Sequence, residues 1–582
     1  MHSSPGQKPA AAKLWLRGCC PNPVSKPPPE HENEPPCRKL QSTSAATCRR
    51  EFAASTTSSL FPNTHFTTHD SIPTLQESFV EFIKTYPKYS DTAPIDRIRV
   101  REYSHLSLSD HVCLDYIGIG LFSQSQVKSQ YASIIPNPKR ASQPDYALFG
   151  VNFKPASLKS QLLDLHGREG YNKLESAIEK RITDFLNLSR DEYSMVFTAN
   201  KSAAFRLVAE SYPFQTNRKL LTVYDHDSEA LNALANISER RGARVMSAEF
   251  KWPRLRINSA GLRKMLVRKK NYSSKKEKKR GLFVFPLQSV LSGASYSYQW
   301  MKKAREHGWH VLLDACSLGP KDMDSFGLSL FRPDFLVCSF YRVFGENPTG
   351  FGCLFVKKSI IPILLESSSR GIVSITPPPR NILFLPEDSS SGADKEIEIN
   401  REDDVDIECR CLDQVDSLGL MLVGCRGRYL INWLVSALTK LQHTNRLENF
   451  PLVAIYGPKV KFDRGPALAF NIYDWKGEKV EPVLVQKLAD RSNISVGCGV
   501  LSHVWFGEKS EEAKKRVLER CGEGESEKGG VGIKAVSVAL SFLANFEDVY
   551  RLWAFVARFL DADFVEKERW RYAALNEKTI EV

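Results

Sequence analysis

The segment Val311-Leu312-Leu313-Asp314-Ala315-Cys316 ends an unbroken apolar run in a carboxylate. Such a group is costly to bury unless it meets a donor or a cation, so the run reads as a strand whose carboxyl end faces something polar. His310–Leu313 is one of seven short apolar runs; the others are Met195–Phe197, Leu220–Val223, Arg244–Met246, Leu282–Phe285, Phe335–Cys338 and Cys353–Val356. Amphipathic stretches such as Leu174–Leu186 separate them. Six or seven strands alternating with helices predict parallel βαβ units. The expected architecture is an α/β sandwich whose ligand lies beyond the carboxyl ends of the strands.

Outward from this core the pattern thins and then resumes. An apolar helix around Tyr429–Val435, candidate strands Ala467–Ile472 and Ala535–Leu540, and a final helix Phe546–Leu560 predict a second, smaller α+β lobe. The expected division is a disordered leader over 1–72, a large domain over 73–365, an acidic insert over 366–411 and a small C-terminal domain over 412–575. The leader carries Pro27-Pro28-Pro29, Pro35-Pro36 and a Ser/Thr-rich stretch. Two surface loops are expected within the domains, a basic one over 263–280 and a charged, Gly-rich one over 507–530.

The chain has 582 residues and a formal net charge of +13, with 42% hydrophobic residues, ample for a buried core. The charge is localised. Residues 1–60 hold eight bases against four acids, and residues 263–280 hold ten bases against Glu277 alone, which together account for the whole excess. With Tyr272 as its one aromatic, the basic loop reads as a solvated segment or a nuclear address rather than a nucleic-acid interface. The 13 cysteines show no disulfide-framework spacing, and no apolar run approaches the roughly 18 residues that span a bilayer. A cytoplasmic protein is expected, with no membrane partner. A plastid destination is the alternative, suggested by the Ser/Thr-rich stretch with Arg38, Arg49 and Arg50 and opposed by Glu30, Glu32 and Glu34.

The usual catalytic signatures are absent: there is no GxxxxGK[ST], HExxH, GxSxG or paired CxxC. Four strand ends carry more. Thr198-Ala199-Asn200-Lys201-Ser202 turns from a strand into a helix, where free amides attract phosphate, although an ordinary N-cap is the simpler reading of those residues alone. Tyr224-Asp225-His226-Asp227-Ser228 opens a second helix. Asp314 is the third. The fourth is Ser339-Phe340-Tyr341-Arg342-Val343-Phe344-Gly345, followed by Pro348-Thr349-Gly350.

In that order and spacing the four segments resemble the class V aminotransferase branch of the fold type I pyridoxal-phosphate transferases. Within it they are most similar to the aminotransferase-like part of the molybdenum cofactor sulfurases. The likeness runs over roughly residues 100 to 560, through Leu114-Asp115-Tyr116, Tyr456-Gly457-Pro458-Lys459, Ala469-Phe470-Asn471-Ile472-Tyr473, Gly497-Cys498 and Phe546–Tyr550. It covers one half of such a protein. The resemblance implies that Thr198–Ser202, with Asn200, Lys201 and Ser202, forms the phosphate turn, that Asp314 faces the pyridine nitrogen, and that Ser339 is a second phosphate ligand. It also implies a homodimer.

The departures from that family matter as much. Arg342 stands where the resemblance places the lysine that forms the Schiff base, and a guanidinium cannot shed its proton to attack an aldehyde. Asp227 stands at the ring-stacking histidine, with His226 one residue away and facing elsewhere. Cys498 is kept, but Val500 replaces the second cysteine of a Cys-x-Cys. The arginine for a substrate carboxylate is missing near Ala535, and the Asn-Pro-His-Ser frame is missing around Asn152-Phe153-Lys154-Pro155. The leading expectation is a transferase homologue without Schiff-base catalysis, a binding or scaffold protein that takes a small-molecule or phosphate ligand and holds pyridoxal phosphate, if at all, non-covalently. Arg342 would then grip an anion or pair with Asp314. The alternative is an active cysteine desulfurase or sulfurtransferase using a surrogate lysine and Cys498 as sulfur carrier.

Overall fold

The structure is a computed structural model. It describes residues 60–578 apart from 62–63, 105, 107–110, 116–122, 125–151, 156–172, 268–280, 317–330, 340–351, 365–371, 377–409, 445–449, 459–463, 508–509, 512–513, 515–516 and 521–530. All seven apolar runs become the strands of one sheet: β1 (Tyr193–Thr198), β2 (Lys219–Thr222), β3 (Arg244–Ser247), β4 (Gly281–Pro286), β5 (Trp309–Asp314), β6 (Phe335–Ser339) and β7 (Gly352–Lys357). Their order is β1-β7-β6-β5-β4-β2-β3. Neighbours are parallel except at β7, which runs antiparallel to both β6 and β1. The sheet is therefore mostly parallel, as the alternation of strands and helices predicts.

Side chains of these strands divide by parity, as a period of two requires. Met195, Phe197, Leu221, Phe283, Phe285, Val311, Leu313 and Phe355 build the core on one face, whereas Val196, Leu220, Leu282, Val284, Leu312, Val337 and Leu354 build that on the other. Both faces are covered, and for that reason the runs read as continuously apolar. The second face is closed by α1 (Lys201–Ser211) and α2 (Glu229–Arg240), through Phe205, Leu207, Val208, Leu231 and Leu234.

The smaller lobe is built on α3 (Leu420–Leu438) and on an antiparallel sheet of β8 (Val453–Tyr456), β9 (Ala467–Ile472), β10 (Gly497–Leu501) and β11 (Val531–Ala539). The strand order is β8-β9-β11-β10, with Glu519–Arg520 also pairing with β11. The last core helix, α4 (Phe546–Ala557), packs Trp553 against Trp433 of α3 with ring centroids 5.5 Å apart.

The expected boundary near residue 73 is displaced. Leu60, Phe61, Phe66, Phe82, Tyr89, Val112 and Leu114 all belong to the core of the smaller lobe, so the end of the expected leader and the start of the expected large domain complete the C-terminal unit. The leader's Pro- and Ser/Thr-rich part and the two charged segments within 263–280 and 366–411 lie largely outside the described residues. Helix Ala93–Glu102 is fastened across the same junction. Arg99 donates from Nη2 to Asp548 Oδ1 at 3.0 Å and from Nη1 to the Leu543 carbonyl at 3.1 Å, with both charged side chains buried. Removing one partner of a buried pair leaves the other charge uncompensated. Arg99→Ala is therefore expected to destabilise the smaller lobe by about 3–5 kcal/mol. Urea unfolding followed by tryptophan fluorescence measures this, and a loss below about 1 kcal/mol would show that the pair does not fasten the N-terminal helices.

Candidate functional site

The carboxyl edge of the large sheet gathers the strand ends picked out in the sequence. Thr198 ends β1, Tyr224 and Asp225 follow β2, Asp314 ends β5, and Ser339 ends β6 in register with Gly352, the first residue of the reversed β7. The Thr198 hydroxyl lies 3.0 Å from the Gly352 carbonyl and 3.1 Å from that of Asn200. The fit is close enough that a Cβ on Gly352 would sit 2.5 Å from Thr198 Oγ1, so the turn from β1 into α1 admits only glycine across from it.

Asn200 caps α1, its Oδ1 accepting from the Ala203 amide at 2.8 Å. One of the helix-terminal donors available to a phosphate is thereby used by the chain itself. Ser202 follows, half-buried, on the first turn. Between them Lys201 does not stay with the turn. Its Nζ reaches Asp314 Oδ2 at 2.7 Å and lies 5.3 Å from the Phe205 ring centroid and 5.9 Å from that of Tyr224.

Asp314 is 1% exposed and fully satisfied. Besides Lys201 it accepts from the Tyr224 hydroxyl at Oδ2, 2.8 Å away, and from the Cys316 amide at Oδ1, 2.9 Å away. Burial alone would raise its pKa, but Lys201 above all, with the Cys316 amide and Tyr224, more than offsets this and holds the carboxyl below the ordinary carboxylate value. Burial and the neighbouring carboxylate push the Tyr224 phenol well up, so it stays a donor.

The second turn is sorted differently from the sequence expectation. Asp227, expected at the ring-stacking position, is exposed, whereas His226 is buried, edge-on to Tyr224 with ring centroids 5.8 Å apart. An antiparallel bridge from His226 to Leu501 of β10 fixes this, since adjacent residues of an extended segment point to opposite sides. His226 Nδ1 is 3.1 Å from Asp225 Oδ1. The buried Asp225 also accepts from the Ser289 and Ser292 hydroxyls, each at 2.6 Å. Arg342 lies outside the described residues, as does the side chain of Ser339. Cys498 lies on β10, and its Sγ is 3.4 Å from the Pro482 carbonyl. Partial burial, with the charges of Glu481 and Asp490, pushes this thiol up to about 11.

Sequence reasoning placed Asp314 at the site but missed its cation, because Lys201 and Asp314 are distant in the chain and no spacing relates them. One signal was available. A lysine on the first turn of a helix faces the positive end of the helix dipole, so it needs an anion nearby.

No family model matches the chain. Known proteins do. It is 24% identical over 498 residues to the molybdenum cofactor sulfurase of Bos taurus, 25% over 489 to that of Homo sapiens, and 26% over 502 to that of Aspergillus oryzae. The chain is similar to the molybdenum cofactor sulfurases over most of its length. The matches cover 79%, 79% and 81% of this chain and 51%, 50% and 55% of those proteins, so the chain spans about half the length of the curated relatives it matches. Among solved structures, a cysteine desulfurase of Thermococcus onnurineus NA1 and the cysteine desulfurase CsdA of Escherichia coli each align at a TM-score of 0.49 and 15% identity. They cover 80% of this chain and 97% and 98% of their own. The sandwich with its smaller α+β lobe is the α/β architecture read from the sequence. Among the described residues no helix is long and apolar enough to cross a membrane, and no cluster of three metal-ligating side chains occurs.

Two measurements probe this edge. Lys201→Ala should cost about 3 kcal/mol, the low end for a broken buried pair because Lys201 keeps a quarter of its side-chain surface in water. A carboxyl held below its unfolded value contributes stability that is complete above about pH 4 and is lost as the pH falls through the lowered folded value. The deficit of the variant should therefore shrink on acidification below pH 4, and an equal deficit in urea melts at pH 7 and pH 3 would count against the pairing. Cys498, with its raised thiol, should alkylate with iodoacetamide at pH 7.5 at least roughly tenfold more slowly than an ordinary free cysteine. Peptide mapping reads this directly, and an ordinary rate would show that the thiol is not held down.

Proposed function

We propose that the chain is a pyridoxal-phosphate-transferase homologue of the molybdenum cofactor sulfurase type that does not perform Schiff-base catalysis and acts as a binding or scaffold protein. The observation that carries this reading is the ion pair between Lys201 and Asp314. On this reading Asp314 with Tyr224 would face a ring nitrogen and the amino end of α1 with Ser202 would face a phosphate, a set of residue types that fits pyridoxal phosphate. When bound, that group supplies an electron sink through its protonated ring. In charge, the chain has already answered the ring-nitrogen end with Lys201 on Asp314, while Asn200 takes one of the amides at the amino end of α1.

Lys201 does not supply the missing nucleophile. Its amine lies against the carboxylate assigned to the ring nitrogen, the end of the ring opposite the aldehyde, and an ammonium in an ion pair is not nucleophilic. At the lysine's own position the sequence has Arg342.

The test is spectral and chemical. With excess pyridoxal phosphate the purified full-length protein should show no absorbance of an internal aldimine, and borohydride reduction followed by peptide mapping should leave no specifically labelled lysine. A stoichiometric label on one lysine, or release of alanine from L-cysteine, overturns the proposal.

A further inference from the structure

We propose that Lys201 is a built-in substitute for a ring cation, and that it tunes this edge of the sheet toward phosphate esters whose ring carries no basic nitrogen. The proposal rests on the placement of Asp314 at the ring nitrogen, but not on whether an aldehyde can react there.

Three observations carry it. Lys201 occupies the same oxygen of Asp314, Oδ2, that also accepts from Tyr224, while Oδ1 is held by the Cys316 amide, so the buried carboxylate has no oxygen left without a partner. A protonated pyridine must either displace the ammonium or sit beside it as a second cation on one carboxylate, and like charges at that range repel. Second, Lys201 is braced. The rings of Phe205 and Tyr224 stand within cation–π range, both are buried, and they hold the side chain over Asp314 rather than letting it swing out along α1. Third, its position on the first turn sets it against the helix dipole, a cost that this pairing offsets and that no solvent-facing rotamer would. A neutral aromatic ring makes no demand on Asp314 and leaves the pair in place, while its phosphate still meets the amide end of α1 and Ser202.

Binding of two phosphate esters that both lack an aldehyde tests this: pyridoxine 5′-phosphate, which has the ring nitrogen, and benzyl phosphate, which does not. Calorimetric titration of the full-length chain gives their ratio of Kd values, in which the phosphate contribution cancels. In the wild type benzyl phosphate should bind at least as tightly as pyridoxine phosphate. In Lys201→Ala the ratio should swing at least tenfold toward pyridoxine phosphate, and in Lys201→Ala/Asp314→Asn it should swing back. An unchanged ratio in the single variant, or an equal swing in the double variant, overturns the proposal, and binding of neither ester by any of the three removes the site reading beneath it. Should the single variant fail to fold, acetylation of the wild type with acetic anhydride decides. Lys201, held on Asp314, should react at least tenfold more slowly than exposed Lys302, and an equal rate overturns the pairing. A Schiff base found elsewhere in the chain would sink the proposed function without touching this ratio.

Discussion

Burying a carboxylate at the end of a central strand is the constraint from which the rest of this edge follows. Asp314 gives up its water at 1% exposure, and a bare carboxylate there would neutralise or unfold the strand end. Three donors from three places prevent this: the first turn of α1, the second residue after β2, and the backbone two residues beyond Asp314 itself. Each comes from a different crossover connection. The carboxylate therefore acts as the node that fixes how β5, β2 and α1 meet, and its pairing is structural before it is anything else.

A second buried network sets the position of the smaller lobe against that edge. Asp225 draws in the hydroxyls of Ser289 and Ser292, and Ser292 in turn offers its carbonyl to Arg464 Nη1 at 3.0 Å. Arg464 also donates to the carbonyls of Pro458, Ala467 and Tyr456, and its burial lowers the guanidinium to about 9. Between them lies Gly293, at φ +67°, where a Cβ would stand 2.3 Å from the Ala467 carbonyl. A carboxylate on one lobe and a guanidinium on the other are thus joined through one serine, across a contact too close for any side chain. The bridge between His226 and Leu501 belongs to the same junction, which is why a turn of the large sheet and a strand of the smaller one share responsibility for which residue faces Tyr224.

The elements legible in the sequence were those governed by local rules. Seven apolar runs became seven strands, most of them buried on both faces and only the edge strand β3 partly open to solvent, and Ala467–Ile472 emerged unchanged as β9. What was not legible depended on contacts between distant residues. The reversal of β7 leaves no mark on a run buried on both sides, since parity and hydrophobicity are the same in either direction. Phe61, Phe66 and Phe82 sit next to a Pro- and Ser-rich stretch, and only the smaller lobe supplies the surface that makes them core. At the site, position 227 was read by alignment of spacing, but the side chain that turns inward was set by the bridge to β10.

The same reasoning changes what Asp314 can be taken to mean. In a chain that pairs this residue only with a bound ring, the carboxylate would lose its partner whenever the ring left, so its retention would report on use of the ring. Here the partner is Lys201, covalently present at all times. Replacing Asp314 by a neutral residue would strand an ammonium over two aromatic rings, and replacing Lys201 would strand a carboxylate, so each residue holds the other in place through folding stability alone. The aspartate consequently carries no information about catalysis in this chain. Position 342 bears on that question through its chemistry alone, since the arginine there carries a guanidinium that does not shed its proton as an amine does.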